Sequence, residues 1–188
     1  MRTLLKRLLR GVSLIAAFPA AALCGFGRWR VLFRMFAHAA SLMPGLPGDY
    51  LRIAYYRLTL RRCGRTSRIE FGSFFSQPEA SLGERVYIGS YCVLGRARIG
   101  DRTQISSGVM LASGRSQHGR DAQGRLQSSD LDHFETLEIG ADCWIGTGAI
   151  ILAGVGERTT VGAGAVVAKP LPPDVTAVGV PARPLERE

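Results

Sequence analysis

From residue 82 onward an aliphatic residue followed by Gly or another small residue recurs about every six positions. The series runs Leu82-Gly83, Ile88-Gly89, Leu94-Gly95, Ile99-Gly100, Ile105-Ser106 and Leu111-Ala112. It resumes at Ile139-Gly140, Ile145-Gly146, Ile151, Val155-Gly156, Val161-Gly162 and Val167-Ala168. Four residues after the aliphatic position comes a second small or β-branched one: Val86, Cys92, Thr103, Val109, Cys143, Ala149, Thr159 and Ala165. A period of six fits neither a helix of 3.6 residues per turn nor simple strand alternation. It fits a short strand and a corner repeated around a triangular coil, each strand pairing with its equivalent one coil away. The aliphatic residue fills the interior and the small residue after it lets the chain turn. Two steps are short, from Leu94 to Ile99 and from Ile151 to Val155, and read as tightened corners.

Residues 113–137 break the period with a polar, Gly-rich, charged stretch, SGRSQHGRDAQGRLQSSDLDHFETL. This is a loop excursion from a rigid scaffold, and loops of that kind commonly carry the chemistry of the scaffold that holds them.

The repeat resembles that of the left-handed β-helix (hexapeptide-repeat) acyltransferases over roughly residues 66–185, and within them the exopolysaccharide or colanic-acid-type and galactoside O-acetyltransferases. The expected fold class is therefore an all-β solenoid, a left-handed parallel β-helix, preceded by an α-helical, membrane-associated region. The resemblance implies transfer of an acetyl group from acetyl-CoA to a hydroxyl, in a homotrimer whose active sites lie between chains. It also places the family's catalytic histidine at the start of the excursion, before a Trp-Ile-Gly turn. His118, upstream of Trp144-Ile145-Gly146, matches that place as general base, with His133 in reserve. Asp121 and Glu135 are candidates to orient the imidazole. The stretch VGAGAVVAKPLPPDVTAVGVPARP resembles the family's closing motif. By that resemblance Thr147, Ala163 and Ala168 meet the pantetheine arm through backbone atoms, while Lys169 and Arg183 meet the phosphates.

The N-terminal third has a different pattern. Residues 11–27 carry no charge; Arg2, Lys6, Arg7 and Arg10 precede them, and Arg28, Arg30 and Arg34 follow. Seventeen residues lie at the short end of what spans a bilayer, about 17–25, and Pro19 is expected to interrupt the run. The expectation is an interfacial or re-entrant anchor extended by Trp29, Phe33 and Phe36. A secretory signal and a buried helix that caps the β-helix remain open as alternatives, although a cytosolic acyl-CoA donor speaks against secretion. Pro44 to Asp49 mark a boundary, after which Leu51, Ala54, Tyr55 and Leu58 fall at helical spacing, with arginines between. That helix is expected to shield the first coil and show a basic face to lipid. The chain thus divides into a membrane-associating region at 1–48, an amphipathic linker helix at 49–65 and a β-helix domain at 66–188.

Charge sharpens this division. Residues 1–68 hold thirteen Arg or Lys against the single acid Asp49, whereas residues 69–188 hold eleven against fourteen. Basic residues interleaved with an apolar run favour anionic lipid over nucleic acid, and no nucleic-acid module is recognised. The four cysteines lack CxxC spacing and nearby histidines, so no metal site is expected, and they read as reduced thiols. The expected protein acetylates a sugar hydroxyl, of a lipid-linked glycan precursor, at the cytoplasmic face of the inner (plasma) membrane, as a peripheral or re-entrant protein. A small amine or serine acceptor and a non-catalytic scaffold in a glycan-synthesis complex are the alternatives.

Overall fold

The computed structural model describes residues 2–112, 119, 121–127 and 135–185. Three helices precede a parallel β-solenoid. Helix α1 spans Arg2–Leu23, α2 Arg30–Ser41 and α3 Gly45–Thr59. A tight turn at Gly25–Gly27 joins the first two helices.

Five full coils and the start of a sixth follow. Their strands are two or three residues long and stack into three sheets. Sheet A joins β1 (Arg62–Cys63), β4 (Ser81–Leu82), β7 (Ala97–Ile99) and β10 (Leu137–Ile139), and single bridges at Val155 and Leu171 continue it. Sheet B joins β2 (Arg68–Ile69), β5 (Tyr87–Ile88), β8 (Gln104–Ile105), β11 (Trp144–Ile145), β13 (Thr160–Val161) and β15 (Thr176–Val178). Sheet C joins β3 (Phe74–Phe75), β6 (Val93–Leu94), β9 (Met110–Leu111), β12 (Ile150–Ile151) and β14 (Val166–Val167). One antiparallel strand, β16 (Arg183–Pro184), closes sheet B against β15.

The register explains the six-residue period. Ile69, Ile88, Ile105, Ile145, Val161 and Ala177 form one inward column, and all are buried. The second phase is inward too: Val86, Cys92, Thr103, Val109, Cys143, Ala149, Thr159 and Ala165 are all buried. Thr103 satisfies its hydroxyl by donating to the Gly140 carbonyl at 2.7 Å while accepting from the Cys143 amide at 3.2 Å, so a polar side chain in the core bridges two coils. Ser67 and Ser73 do the same two coils earlier, with the Gly83 and Gly89 carbonyls. Burial pushes the Cys92 and Cys143 thiols up, away from the reactive thiolate.

The structure gives a different reason for the small residue after each aliphatic. A Cβ at Gly100 would stand 2.4 Å from the Ala141 amide nitrogen, and one at Gly146 would stand 2.5 Å from that of Ala163. The next coil's backbone passes there, so the position is small to admit its neighbour rather than to turn. The turn comes two residues later, where Arg102, Asp142 and Arg158 at the A-to-B corner hold positive φ. These corners stack, and the Arg102 guanidinium meets both Asp142 oxygens, as Arg158 meets those of Asp174 at 2.6 and 2.8 Å. Asp142 is held below the usual carboxylate range, chiefly by its hydrogen bond from Arg102.

The steps from sheet A to B and from B to C are six residues in every coil. All variation in length falls at the C-to-A corner: seven residues from Phe75 to Leu82, five from Leu94 to Ile99, four from Ile151 to Val155 and four from Val167 to Leu171. The steps from Leu94 to Ile99 and from Ile151 to Val155 are the tightened corners expected, and that from Val167 to Leu171 is a third. The excursion departs from this same corner, after β9, and coils three and four are in register on both sides of it.

The helical region departs from expectation in two places. Helix α1 runs on through Pro19, so the proline does not interrupt it. A proline removes one backbone bond, and here the carbonyl that loses it belongs to Ile15, on the exposed side. The arginines of α3 do not all face outward either: Arg52 is fully buried. Its guanidinium donates to the carbonyls of Ile69 at 2.8 Å, Ala40 at 3.1 Å and Met43 at 2.7 Å, and to Asp49 at 2.7 Å. Asp49 also pairs with Arg68 at 2.9 Å. The backbone carries this arginine closely, since a Cβ at Gly48 would lie 1.9 Å from the Met43 carbonyl oxygen. Beside it Tyr56 accepts the Phe75 amide at 3.0 Å, and Tyr55 donates to the Phe33 carbonyl at 2.8 Å. Helix α3 thus covers the open end of the first coil and ties α2 to it. Among the described residues no helix is long and apolar enough to cross a membrane.

Replacing Arg52 by Met should keep the volume but leave those carbonyls without a donor. The expected loss is roughly 3–5 kcal/mol, the scale for breaking a buried charged network, read as a lower urea midpoint with an unchanged slope. A loss below about 1 kcal/mol, the range of a surface substitution, would contradict the capping role.

Candidate active site

The residues singled out from the sequence divide around sheet C. Thr147 and Ala163 occupy equivalent places at the B-to-C corner of successive coils, and the Gly164 amide donates to the Thr147 carbonyl at 2.8 Å. Both side chains are exposed. Past this corner the chain folds back after Val178: the Val166 amide donates to the Gly179 carbonyl at 3.0 Å, and the Ala182 amide to the Val166 carbonyl at 2.8 Å. That return carries Arg183, exposed in β16, to the edge of the same coil. Thr147, Ala163 and the approach to Arg183 therefore lie along one side of sheet C.

Ala168 and Lys169 lie on its other side, at the C-to-A corner after β14. The register of β9, β12 and β14 puts Ala112, Leu152 and Ala168 in one column. The excursion begins directly after Ala112, so its root and Ala168 share a corner two coils apart, roughly 10 Å at one strand spacing per coil. Lys169 is exposed. Between the two corners the outward side chains of sheet C are Phe74, Val93, Met110, Ile150 and Val166, an unbroken apolar column. Met110 is 49% exposed and Ile150 37%. The inward period of the sequence does not mark this column, whose members face outward. The signal was present in the residue before each inward aliphatic of every third hexapeptide.

His118 and His133 lie outside the described residues. Of the two acids weighed as their partners, Asp121 serves the loop itself: its Oδ1 accepts the backbone amides of Gln123 and Arg125, both at 2.9 Å. The Asp121 amide donates to the Arg125 carbonyl at 3.0 Å and the Gln127 amide to the Gly119 carbonyl at 2.9 Å, forming a small hairpin closed by Gly124 at φ 77°. The third histidine, His38, packs its ring edge-on to Phe74 at 4.3 Å and holds α2 against sheet C. Among the described residues no three His, Cys, Asp or Glu side chains lie together as a metal site. All four cysteines are free thiols.

No protein-family model matches the chain. It is 45% identical over 49 residues to the galactoside O-acetyltransferase of Escherichia coli, a match covering 25% of this chain and 24% of that protein. The chain spans less than a third of the length of the curated relatives it matches. The fold match is longer. A maltose O-acetyltransferase from Clostridium difficile superposes with a TM-score of 0.67 at 25% identity, over 84% of this chain and 87% of that one. A galactoside acetyltransferase in complex with coenzyme A gives 0.70 at 23% identity, over 86% and 82%. In its repeat and in its fold, this chain resembles the hexapeptide-repeat acetyltransferases.

Proposed function

We propose that the protein is an acyl-CoA-dependent O-acetyltransferase. It moves the acetyl group of acetyl-CoA to a sugar hydroxyl, of a membrane-linked polysaccharide precursor, with His118 as general base. The observation that carries this reading is the shared corner: the excursion bearing His118 in sequence is rooted in the same column as Ala168 and Lys169, across sheet C from Thr147 and Ala163. Support comes also from the stretch that matches a galactoside O-acetyltransferase.

The chemistry asks for few groups. A base takes the hydroxyl proton as the oxygen attacks the thioester carbonyl, the carbon–sulfur bond breaks, and the thiolate of CoA leaves and is protonated. Imidazole suits that proton transfer near neutral pH. Thr147, Ala163 and Ala168 would hold the pantetheine arm through backbone atoms, where small side chains leave room for it. Lys169 and Arg183, both exposed, offer fixed positive charge to the phosphates of the donor.

The apolar column of sheet C supports assembly. A flat solenoid face offers little concavity, and a homotrimer would set that face of one copy against the next and form three equivalent sites. Localisation at the cytoplasmic face of the inner membrane is supported by the position of the basic and apolar helices ahead of the solenoid.

Three measurements test this. His118→Ala should lower kcat for acetyl transfer to a galactoside or glycan-lipid extract by about 10²–10⁴ while acetyl-CoA still binds, the usual contribution of a general base; activity within threefold of wild type would overturn the assignment. Lys169→Ala should raise KM for acetyl-CoA about tenfold with kcat kept, as loss of a charge-assisted phosphate contact does. In light scattering the wild type should weigh about three times its 20.3 kDa chain, and Met110→Glu with Ile150→Glu should reduce it to one; a monomeric wild type would refute the trimer.

A further inference from the structure

A cavity of about 280 Å³ lies between α1, α3 and the first coil, away from the corners described above. Three separate elements deliver cations to it: Lys6 and Arg10 from α1, Arg57 from α3, and Arg65 and Arg68 from the loop into β2 and β2 itself. Lys6 and Arg10 are four apart, so they project from one face of the helix. The only carboxylate among the lining residues is Asp49, and both its oxygens are engaged, Oδ1 by Arg52 and Oδ2 by Arg68. Among the described residues Lys6, Arg10, Arg57 and Arg65 make no ion pair. Thr66 also lines the cavity, with its hydroxyl turned to Glu84 at 2.6 Å.

Four unpaired cations around one cavity repel one another, and an anion of more than one charge relieves that repulsion. Guanidinium groups match phosphate oxygens in geometry as well as charge. The surroundings say which phosphate. Leu46, 66% exposed, lines the cavity together with Ile53 and Ala54, whereas the exposed Leu4, Leu8 and Ile15 of α1 lie on the helix face turned away from Lys6 and Arg10. An apolar side chain held in water in the lining of a basic cavity suits an acyl or prenyl chain attached to the phosphate, and a soluble phosphate has no use for it.

The geometry points to this cavity as a binding site for the phosphomonoester or diphosphate headgroup of a lipid, which seats the helical region on a membrane. The inference rests on the proposed membrane association only in choosing lipid over free phosphate, and it does not depend on acetyl transfer.

The test is sedimentation of the full chain with phosphatidylcholine vesicles carrying either phosphatidic acid, a polyprenyl diphosphate, or phosphatidylglycerol at equal surface charge. Wild type should bind the first two about tenfold more tightly than the third, beyond the general attraction of basic residues to anionic membranes. Arg10→Gln with Arg57→Gln and Arg65→Gln should lose that preference. Arg28→Gln with Arg34→Gln and Arg61→Gln, an equal loss of charge outside the cavity, should keep it. Equal binding to all charged vesicles, or a preference that survives in the cavity variant, would overturn the site. Calorimetry with inorganic pyrophosphate separates the sources: binding as tight as to the lipid, lost in the same cavity variant, would make the ligand a free phosphate and overturn the lipid assignment. Acetylation of a soluble sugar by each variant, which should stay at the wild-type level, reports on the enzyme reading separately, and melting curves confirm that each variant is folded.

Discussion

A coil in a parallel solenoid satisfies its backbone only through the coils on either side, so the first and last coils each present an unpaired ladder. Everything else in this molecule is arranged around that constraint. At the start, α3 lies over the open end, with Arg52 reaching the Ile69 carbonyl and Tyr56 taking the Phe75 amide. At the end, β16 turns back antiparallel and closes sheet B. The helices are therefore part of how the solenoid is made stable, and α2 is fastened through the same arginine, which also serves the Ala40 and Met43 carbonyls. An apolar side chain in place of Arg52 would supply volume but no donors.

The same stacking decides where function can be placed. Two of the three corners keep a fixed six-residue step, because each inward residue and its close-packed neighbour must match the coil next to it. The C-to-A corner is free to vary, between four and seven residues where no excursion intervenes. An insertion there leaves the register of the scaffold intact, since the strands of coils three and four remain paired across it. Thr147 and Ala163 lie on one side of sheet C, Ala168 and Lys169 on the other, with an apolar column between. That gives a narrow chain a surface to lie along, and the excursion begins at its edge.

Much of this was legible in the residues. Inward positions admit one aliphatic per strand, and a period of six in Leu, Ile and Val therefore reads directly as coils. The domain boundary at 66 takes in β2 and β3 of the first coil, but the repeat itself reads clearly only from Leu82, because Phe75 departs from the aliphatic type and Glu70 follows Ile69 in place of a small residue. Arg52 was hidden for another reason: a hydrophobic pattern assigns every arginine to solvent, and only the convergence of carbonyls from α2, the turn after it and β2 makes a buried one favourable. Pro19 misled because its cost is local, one backbone bond on an exposed face. The roles of Thr147, Ala163, Ala168, Lys169 and Arg183 came from resemblance; their places in the fold came from the register, which puts them on the two sides of one sheet. His118 and His133 belong to the polar stretch between β9 and β10 that carries no hexapeptide period, so the register of the coils says nothing of their place.

We propose that an acyl-CoA lies along sheet C between those two corners. Hydrogen exchange of the full chain with and without acetyl-CoA tests it most directly. The account predicts slowed exchange at the amides of residues 147–148, 163–164 and 168–169, with none at the A-to-B corner around Arg102 and Asp142. Protection confined to that opposite corner or to the helices, or none at saturating donor, would contradict it.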